Sequence, residues 1–267
     1  RDKLVTGVQT CALPIWTICI FITKGLIMEP LITVKNVRKV YRMGDEKVVA
    51  LDDVSLDIYK GEIVCFLGAS GSGKSTFLNM VAGLEKPTKG EIYIGGIPVH
   101  KLNEENVTLF RQKNIGFIFQ AYHLLPMLTA AENVSLPLIF RGVEKKKREK
   151  MAKETLAVVG LAGYENRKPT QMSGGQQQRV GIARALVGNP KIIFADEPTG
   201  NLDTHTSKEV MEIMMAKVRE NGRTLIIVTH DKKIADYADR IVTIQDGNIL
   251  SIEEKNGETE NLSEQAK

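Results

Sequence analysis

Cysteine is scarce in this sequence. The three present in 267 residues, Cys11, Cys19 and Cys65, fit no metal-ligand spacing. An odd count without pattern suits a reducing compartment. Tryptophan occurs once, at Trp16. Charge imbalance is slight: the net charge of +4 is too small to argue for nucleic acid as a partner. Long apolar runs are absent as well, since none approaches the roughly 18–20 residues that a membrane-spanning helix needs. The chain itself is therefore not expected to cross a bilayer. What remains is ordinary for a globular protein, with 43% hydrophobic and 25% charged residues. The length suits one sizeable domain, or a domain with a subdomain.

Against this plain background one stretch stands out. Gly68, Ala69, Ser70, Gly71, Ser72, Gly73, Lys74, Ser75 and Thr76 satisfy G-x-x-x-x-G-K-[ST], the phosphate-binding loop. The apolar run Ile63–Leu67 before it reads as a buried strand, and Thr76–Ala82 after it is compatible with a helix. Glycines let the backbone curl with its N–H groups inward, and the following helix adds its positive end. Lys74 supplies a cation to the β- and γ-phosphates, and the Ser75 hydroxyl can ligate Mg²⁺. A second element completes the chemistry. The apolar strand Ile192–Ala195 runs straight into Asp196 and Glu197. An acid at the carboxyl end of a neighbouring strand can hold Mg²⁺ against the phosphates, and Glu197, one residue on, can orient or deprotonate a water.

Along the chain, residues 5–15 resemble the in-frame translation of a sequencing-library adapter. Residues 1–27 are therefore expected to be a non-native extension, with Met28 as initiator. Strands are expected at Leu31–Val34 and Val54–Ile58, with Tyr41 between them, and at Glu91–Ile94 and Ile115–Phe119. Helices are expected at Ala130–Leu138 and Lys145–Val159, inside a helical insertion of about residues 121–172. Further helices are expected at Gln176–Val187 and Thr204–Arg219, the latter with its methionines in the core. Leu225–Val228 reads as a strand, and Asp239–Ile244 with Asn248–Leu250 as a hairpin through Asp246-Gly247. From Glu253 the chain turns polar and is expected to fray. The domain thus runs over 28–252, followed by a polar tail, 253–267.

Met172-Ser173-Gly174-Gly175-Gln176-Gln177-Gln178-Arg179 resembles the signature of ATP-binding-cassette (ABC) ATPases. The resemblance covers about residues 31–250 in order. It implies an α/β fold, a P-loop NTPase core of ABC type with an antiparallel β layer and an inserted helical subdomain. Tyr41 matches the aromatic that stacks on adenine, and Gln120 the glutamine that opens the helical subdomain. Asn201-Leu202-Asp203 matches the D-loop, and His230 the switch histidine. Met172 replaces the usual Leu, a volume-conserving change. The resemblance implies catalytic roles for Glu197, His230, Gln120 and Lys74, and metal contacts at Ser75, Gln120 and Asp196. ATP and Mg²⁺ are the implied cofactors. Ser173, Gly174, Gly175 and Gln176 are implied to meet ATP held by another copy, with Asp203 coupling two composite sites in a homodimer.

The run Phe119–Val134, together with Gly200–Asp203, looks like the lipoprotein-releasing and macrolide-efflux branch. That implies a separately encoded membrane permease, a place at the cytoplasmic face of the membrane, and docking through Tyr122–Leu128. The resemblance leaves three functions open. The first is an export motor; the second is a soluble scaffold or regulator. The third is a force-transmitting regulator of cell-wall remodelling without transported substrate. If the reading of the first residues is right, N-terminal sequencing of natively expressed protein will find Met28 or its successor at the start; a chain retaining residues 7–15 overturns it.

Overall fold

A computed structural model describes residues 29–44 and 46–255, and the backbone of 259–261. The expectations about residues 1–27, with Cys11, Trp16 and Cys19, lie outside the described residues.

Two sheets organise the chain. The smaller is antiparallel, in the order β2-β1-β4-β5. Its strands are β1 (Ile32–Met43), β2 (Glu46–Ile58), β4 (Lys89–Ile94) and the two-residue β5 (Ile97–Pro98). β1 and β2 are longer than expected, and Tyr41 lies within β1, paired with Val48, rather than between strands. Register shifts between Val34 and Val40 let the long ribbon bend and keep pairing, and such irregularities blur a period-2 pattern in the sequence.

The larger sheet has the order β11-β10-β9-β3-β8-β7-β6. β3 (Ile63–Leu67), β8 (Thr224–Thr229), β7 (Ile192–Asp196) and β6 (Ile115–Phe119) are mutually parallel, as is β9 (Arg240–Gln245) to β3. β10 (Asn248–Glu254) and β11 (Thr259–Asn261) add an antiparallel edge. The expected fraying from Glu253 is corrected here. Ile252 packs on the core, and Glu253 and Glu254 stay paired with Ile241 and Arg240.

The central strands are apolar almost throughout because both faces are covered. Val64, Phe66, Phe194, Ile226 and Val228 point toward the small sheet and the first helix, α1 (Lys74–Val81). Ile63, Cys65, Ile193, Leu225 and Ile227 face the opposite core. That second core is closed by α5 (Gly174–Leu186) and α6 (Thr204–Glu220), whose Met211, Met214 and Met215 are buried. α2 (Glu104–Asn114) was not anticipated. Its polar sequence buries only Val107, so it carries almost no apolar stripe to read. α3 (Ala130–Phe140) and α4 (Lys145–Val158) pack on α5 through Val134, Leu138, Ala152 and Leu156. A short α7 (Lys232–Ala235) follows β8.

Phe66 is fully buried and its ring lies 4.4 Å from that of Phe77, so it fastens β3 to α1 on either side of the phosphate loop. Phe66→Ala is expected to cost about 3–5 kcal/mol, measured as a lower urea midpoint with an unchanged denaturant slope.

Candidate functional site

The loop 68–73 leaves the carboxyl end of β3 and enters α1 without a side-chain cap. An uncapped helix start leaves its first N–H groups free for an anion. Its glycines do different jobs. Gly71 (φ 81°) and Gly73 (φ 103°) take the left-handed backbone that the curl requires. At Gly68 a Cβ would run into the carbonyl oxygen of Ile244, so that glycine lets the loop pack under β9.

A cavity of about 410 Å³ opens over the loop, lined by Ala50, Ser70, Gly71, Gly73, Lys74, Ser75, Thr76, Gln120, Asp196, Glu197 and His230. Parallel pairing in register produces this convergence. Leu67 sits beside Thr229, Val228 beside Asp196, and Asp196 beside Phe119, so four strand ends deliver their next residues to one place. Lys74 is buried, and its Nζ reaches the carbonyl of Ala69 at 2.6 Å and Ser72 Oγ at 3.4 Å. Burial lowers the Lys74 pKa, while Glu197 and Asp196 pull it back up. The Asp196 carboxyl is raised, first by burial and then by the neighbouring Glu197; Lys74 and a hydrogen bond with Ser75 oppose the rise.

Glu197 is held firmly. Its backbone is left-handed (φ 45°), and its N–H donates to the carbonyl of Val228 at 2.9 Å. The carboxylate accepts from the Thr229 hydroxyl at 2.9 Å and the His230 N–H at 3.1 Å, and lies 2.7 Å from His230 Nδ1. A non-glycine residue in this conformation stores strain, of order 1–3 kcal/mol, which the three contacts offset. The Gln120 amide donates to Asn201 Oδ1 at 3.3 Å, and the Asn201 amide donates back to the Gln120 carbonyl at 3.0 Å.

Among the described residues no cluster of three or more His, Cys, Asp or Glu could cage a metal. The paired Ser75 hydroxyl and Asp196 carboxylate instead form a sparse oxygen donor set. That suits Mg²⁺, which binds few protein groups and keeps waters and phosphate oxygens.

Other residues singled out from the sequence lie outside this cavity. Gly68, Ala69 and Ser72 do not line it. Tyr41 donates its hydroxyl to Glu85 at 2.7 Å, and Lys39 Nζ lies 5.0 Å from the centre of its ring. Ser173 is the N-cap of α5, so the helix starts two residues earlier than expected, at Gly174; Ser173 and Gln176 form a capping box. Gly175 has no room for a Cβ, which would strike Thr206 on α6. Asp203 caps α6, and hydrogen bonds from Thr206 and the backbone hold its carboxyl below the usual range. In the stretch Tyr122–Leu128, Leu125 and Met127 are exposed, whereas Leu124 packs on the core.

Three participants escaped the sequence reading: Ala50, which lines the cavity; Thr229, which holds Glu197; and Glu85, which fixes Tyr41; Gln178, read only as part of the signature, donates its amide to the Pro198 carbonyl. Only Thr229 carried a local sign, as a polar residue closing a buried apolar strand just before His230.

The protein-family description "ABC transporter" matches residues 51–200. The chain belongs to the ABC transporter family. It is 47% identical over 231 residues to an uncharacterised ABC transporter ATP-binding protein, MJ0796, of Methanocaldococcus jannaschii, covering 85% of this chain and 98% of that one. It is 48% identical over 223 residues to the macrolide export ATP-binding/permease protein MacB of Salmonella typhimurium, covering 84% of this chain and 34% of MacB. A dimeric post-hydrolysis structure of MJ0796 bound to ADP and Pi superposes with a TM-score of 0.79 at 45% identity, covering 85% of this chain and all of that one. The fold is that of an ABC cassette, and the chain is an ABC ATPase similar to the ATP-binding part of the macrolide exporter.

Removing the ammonium from this ABC site has a definite sign. In Lys74→Ala the Asp196 carboxyl loses the cation that lowers its pKa, so it titrates at higher pH in a carboxyl NMR titration, and affinity for ATP falls. Unchanged values for both would count against the loop assignment.

Proposed function

We propose that this chain is the ATP-hydrolysing subunit of a membrane export or force-transmitting complex. In this reading the phosphate loop, Lys74 and the first N–H groups of α1 bind the β- and γ-phosphates. Ser75, Asp196 and Gln120 would hold Mg²⁺, which would supply positive charge against the phosphates. Glu197 accepts a proton from the attacking water, and His230, in contact with its carboxylate, fixes its direction. Tyr41, steadied by Glu85 and Lys39, offers a ring face to adenine.

One observation carries the reading: the catalytic groups converge on a single cavity, while the exposed Ser173 and Asp203 stand outside it. The N–H groups at the start of α5 have no phosphate of their own to meet. A second copy, turned so that its α5 closes over this cavity, supplies one. Hydrolysis then opens what ATP closed. The dimeric state of MJ0796 supports this arrangement.

MacB joins an ATP-binding part and a permease in one protein. Here the matched region is only the ATP-binding part, and no helix among the described residues is long and apolar enough to cross a membrane. In this reading the cassette works from the cytoplasmic membrane face on a permease encoded separately, through a surface that includes the exposed Leu125 and Met127. Within this reading, residues 28–252 are the cassette and about 121–172 its helical subdomain. Nucleic acid has no place in it.

Glu197→Gln keeps the shape of the site and removes the base. It is expected to bind ATP, accumulate as a dimer in Mg-ATP, and lose about 10²-fold or more of turnover. Size-exclusion chromatography with light scattering, beside a phosphate-release assay, checks both. A monomer in saturating Mg-ATP, alone and with its permease, would remove the clamp.

A further inference from the structure

Just past Gln120 the backbone does something costly. Tyr122 (φ 58°) and His123 (φ 48°) are consecutive non-glycine residues in the left-handed region. Neither a glycine nor an asparagine eases the turn, and bulky side chains there are strained. Something outside the segment must hold it.

Arg184, on the third turn of α5, is placed to do so. Its two terminal nitrogens donate to the carbonyls of His123 at 2.5 Å and Tyr122 at 2.7 Å. This guanidinium is half-buried, and burial lowers its pKa; among the described residues no carboxylate pairs with it. A half-buried cation answered only by backbone carbonyls is an expensive arrangement, and its charge-assisted fork is the strong contact available to fix two successive carbonyls. The same helix touches the segment again at its other end. A Cβ at Gly174 would lie 3.0 Å from the Tyr122 hydroxyl, so that hydroxyl rests on the start of α5. One rigid helix thus spans the segment from the signature to Arg184.

We propose that Arg184 is a positioning residue for hydrolysis: by clamping the Tyr122 and His123 carbonyls it holds the strained turn that keeps Gln120 in the phosphate cavity. This rests on the reading of that cavity as the ATP site. Arg184 is not among the residues that line the cavity. It sets where Gln120 stands among them, and it ties that position to the orientation of the signature helix. The phosphate loop lies between β3 and α1, apart from the carbonyls that Arg184 holds.

The test uses the full chain, with ATP affinity, kcat and Tm measured for Arg184→Met and Arg184→Lys, each alone and with His123→Gly. Arg184→Met is expected to lower kcat by between about tenfold and a hundredfold, as for a misplaced catalytic contact, with ATP affinity within about twofold. Lysine reaches one carbonyl as a point charge rather than two as a fork, so Arg184→Lys falls between. Glycine at 123 removes strain that the clamp offsets, so the kcat loss caused by either substitution shrinks in the His123→Gly background. The proposal is overturned by wild-type kcat in both variants, by affinity and kcat falling together with Tm, or by an equal kcat loss in both backgrounds. If Arg184→Met does not fold, Arg184→Lys decides by the same criteria. Wild-type chain that neither binds nor hydrolyses ATP would instead defeat the ATP-site reading itself.

Discussion

Two carboxylates and one ammonium share a cavity at the carboxyl ends of parallel strands, and the rest of the fold holds them there. Asp196 and Glu197 repel each other in a partly buried place, and among the described residues Lys74 is the only lysine or arginine that lines the cavity with them. Burial pushes Lys74 and Asp196 toward neutrality; Glu197 and then Asp196 oppose this at Lys74, and Lys74 and Ser75 oppose it at Asp196. A cavity poised in this way favours a ligand that brings several negative oxygens together with a divalent cation. Such a ligand satisfies the loop N–H groups, the ammonium and the acids at once.

The scaffold makes that poise possible. β3, β7 and β8 are buried on both faces, so their register is pinned by two separate cores and their ends cannot drift. Loops that leave such strands inherit a fixed starting point. That rigidity helps the chain hold unfavourable backbone at Glu197, Tyr122 and His123. The strain sits at the turns that aim Glu197 and Gln120, each braced from a neighbouring element: Glu197 by Thr229 and His230, and the turn after Gln120 by Arg184.

α5 packs on the face of the large sheet away from the small one, and it touches both turns that border the cavity. Its start carries the capping box of Ser173 and Gln176, its middle sends Gln178 to the Pro198 carbonyl just beyond Glu197, and its far end holds the segment after Gln120. Close packing against α6 at Gly175 leaves it little freedom to roll. The clamp proposed above needs such a connection, because a movement imposed on the start of α5 would reach both turns through these contacts.

Much of this was written in local sequence. The phosphate loop between Ile63–Leu67 and its helix, the apolar run ending in Asp196, and the signature ahead of α5 are short patterns whose chemistry is set by neighbours along the chain. Period and apolarity placed the buried strands and the methionine face of α6 for the same reason. α2 left no mark because a helix that buries one valine has no stripe. The length of β1 was hidden by its register shifts, and the pairing of Glu253 and Glu254 depended on a partner strand rather than on their own polarity. By itself the sequence determined which groups could bind phosphate and activate water, because those abilities belong to residue types at short spacing. Only the tertiary structure decided which of them meet. Register between parallel strands brought Lys74, Gln120, Asp196, Glu197 and His230 around one cavity, left Ser173 and Asp203 outside it, and set Arg184 beneath a strained turn some sixty residues away in the chain.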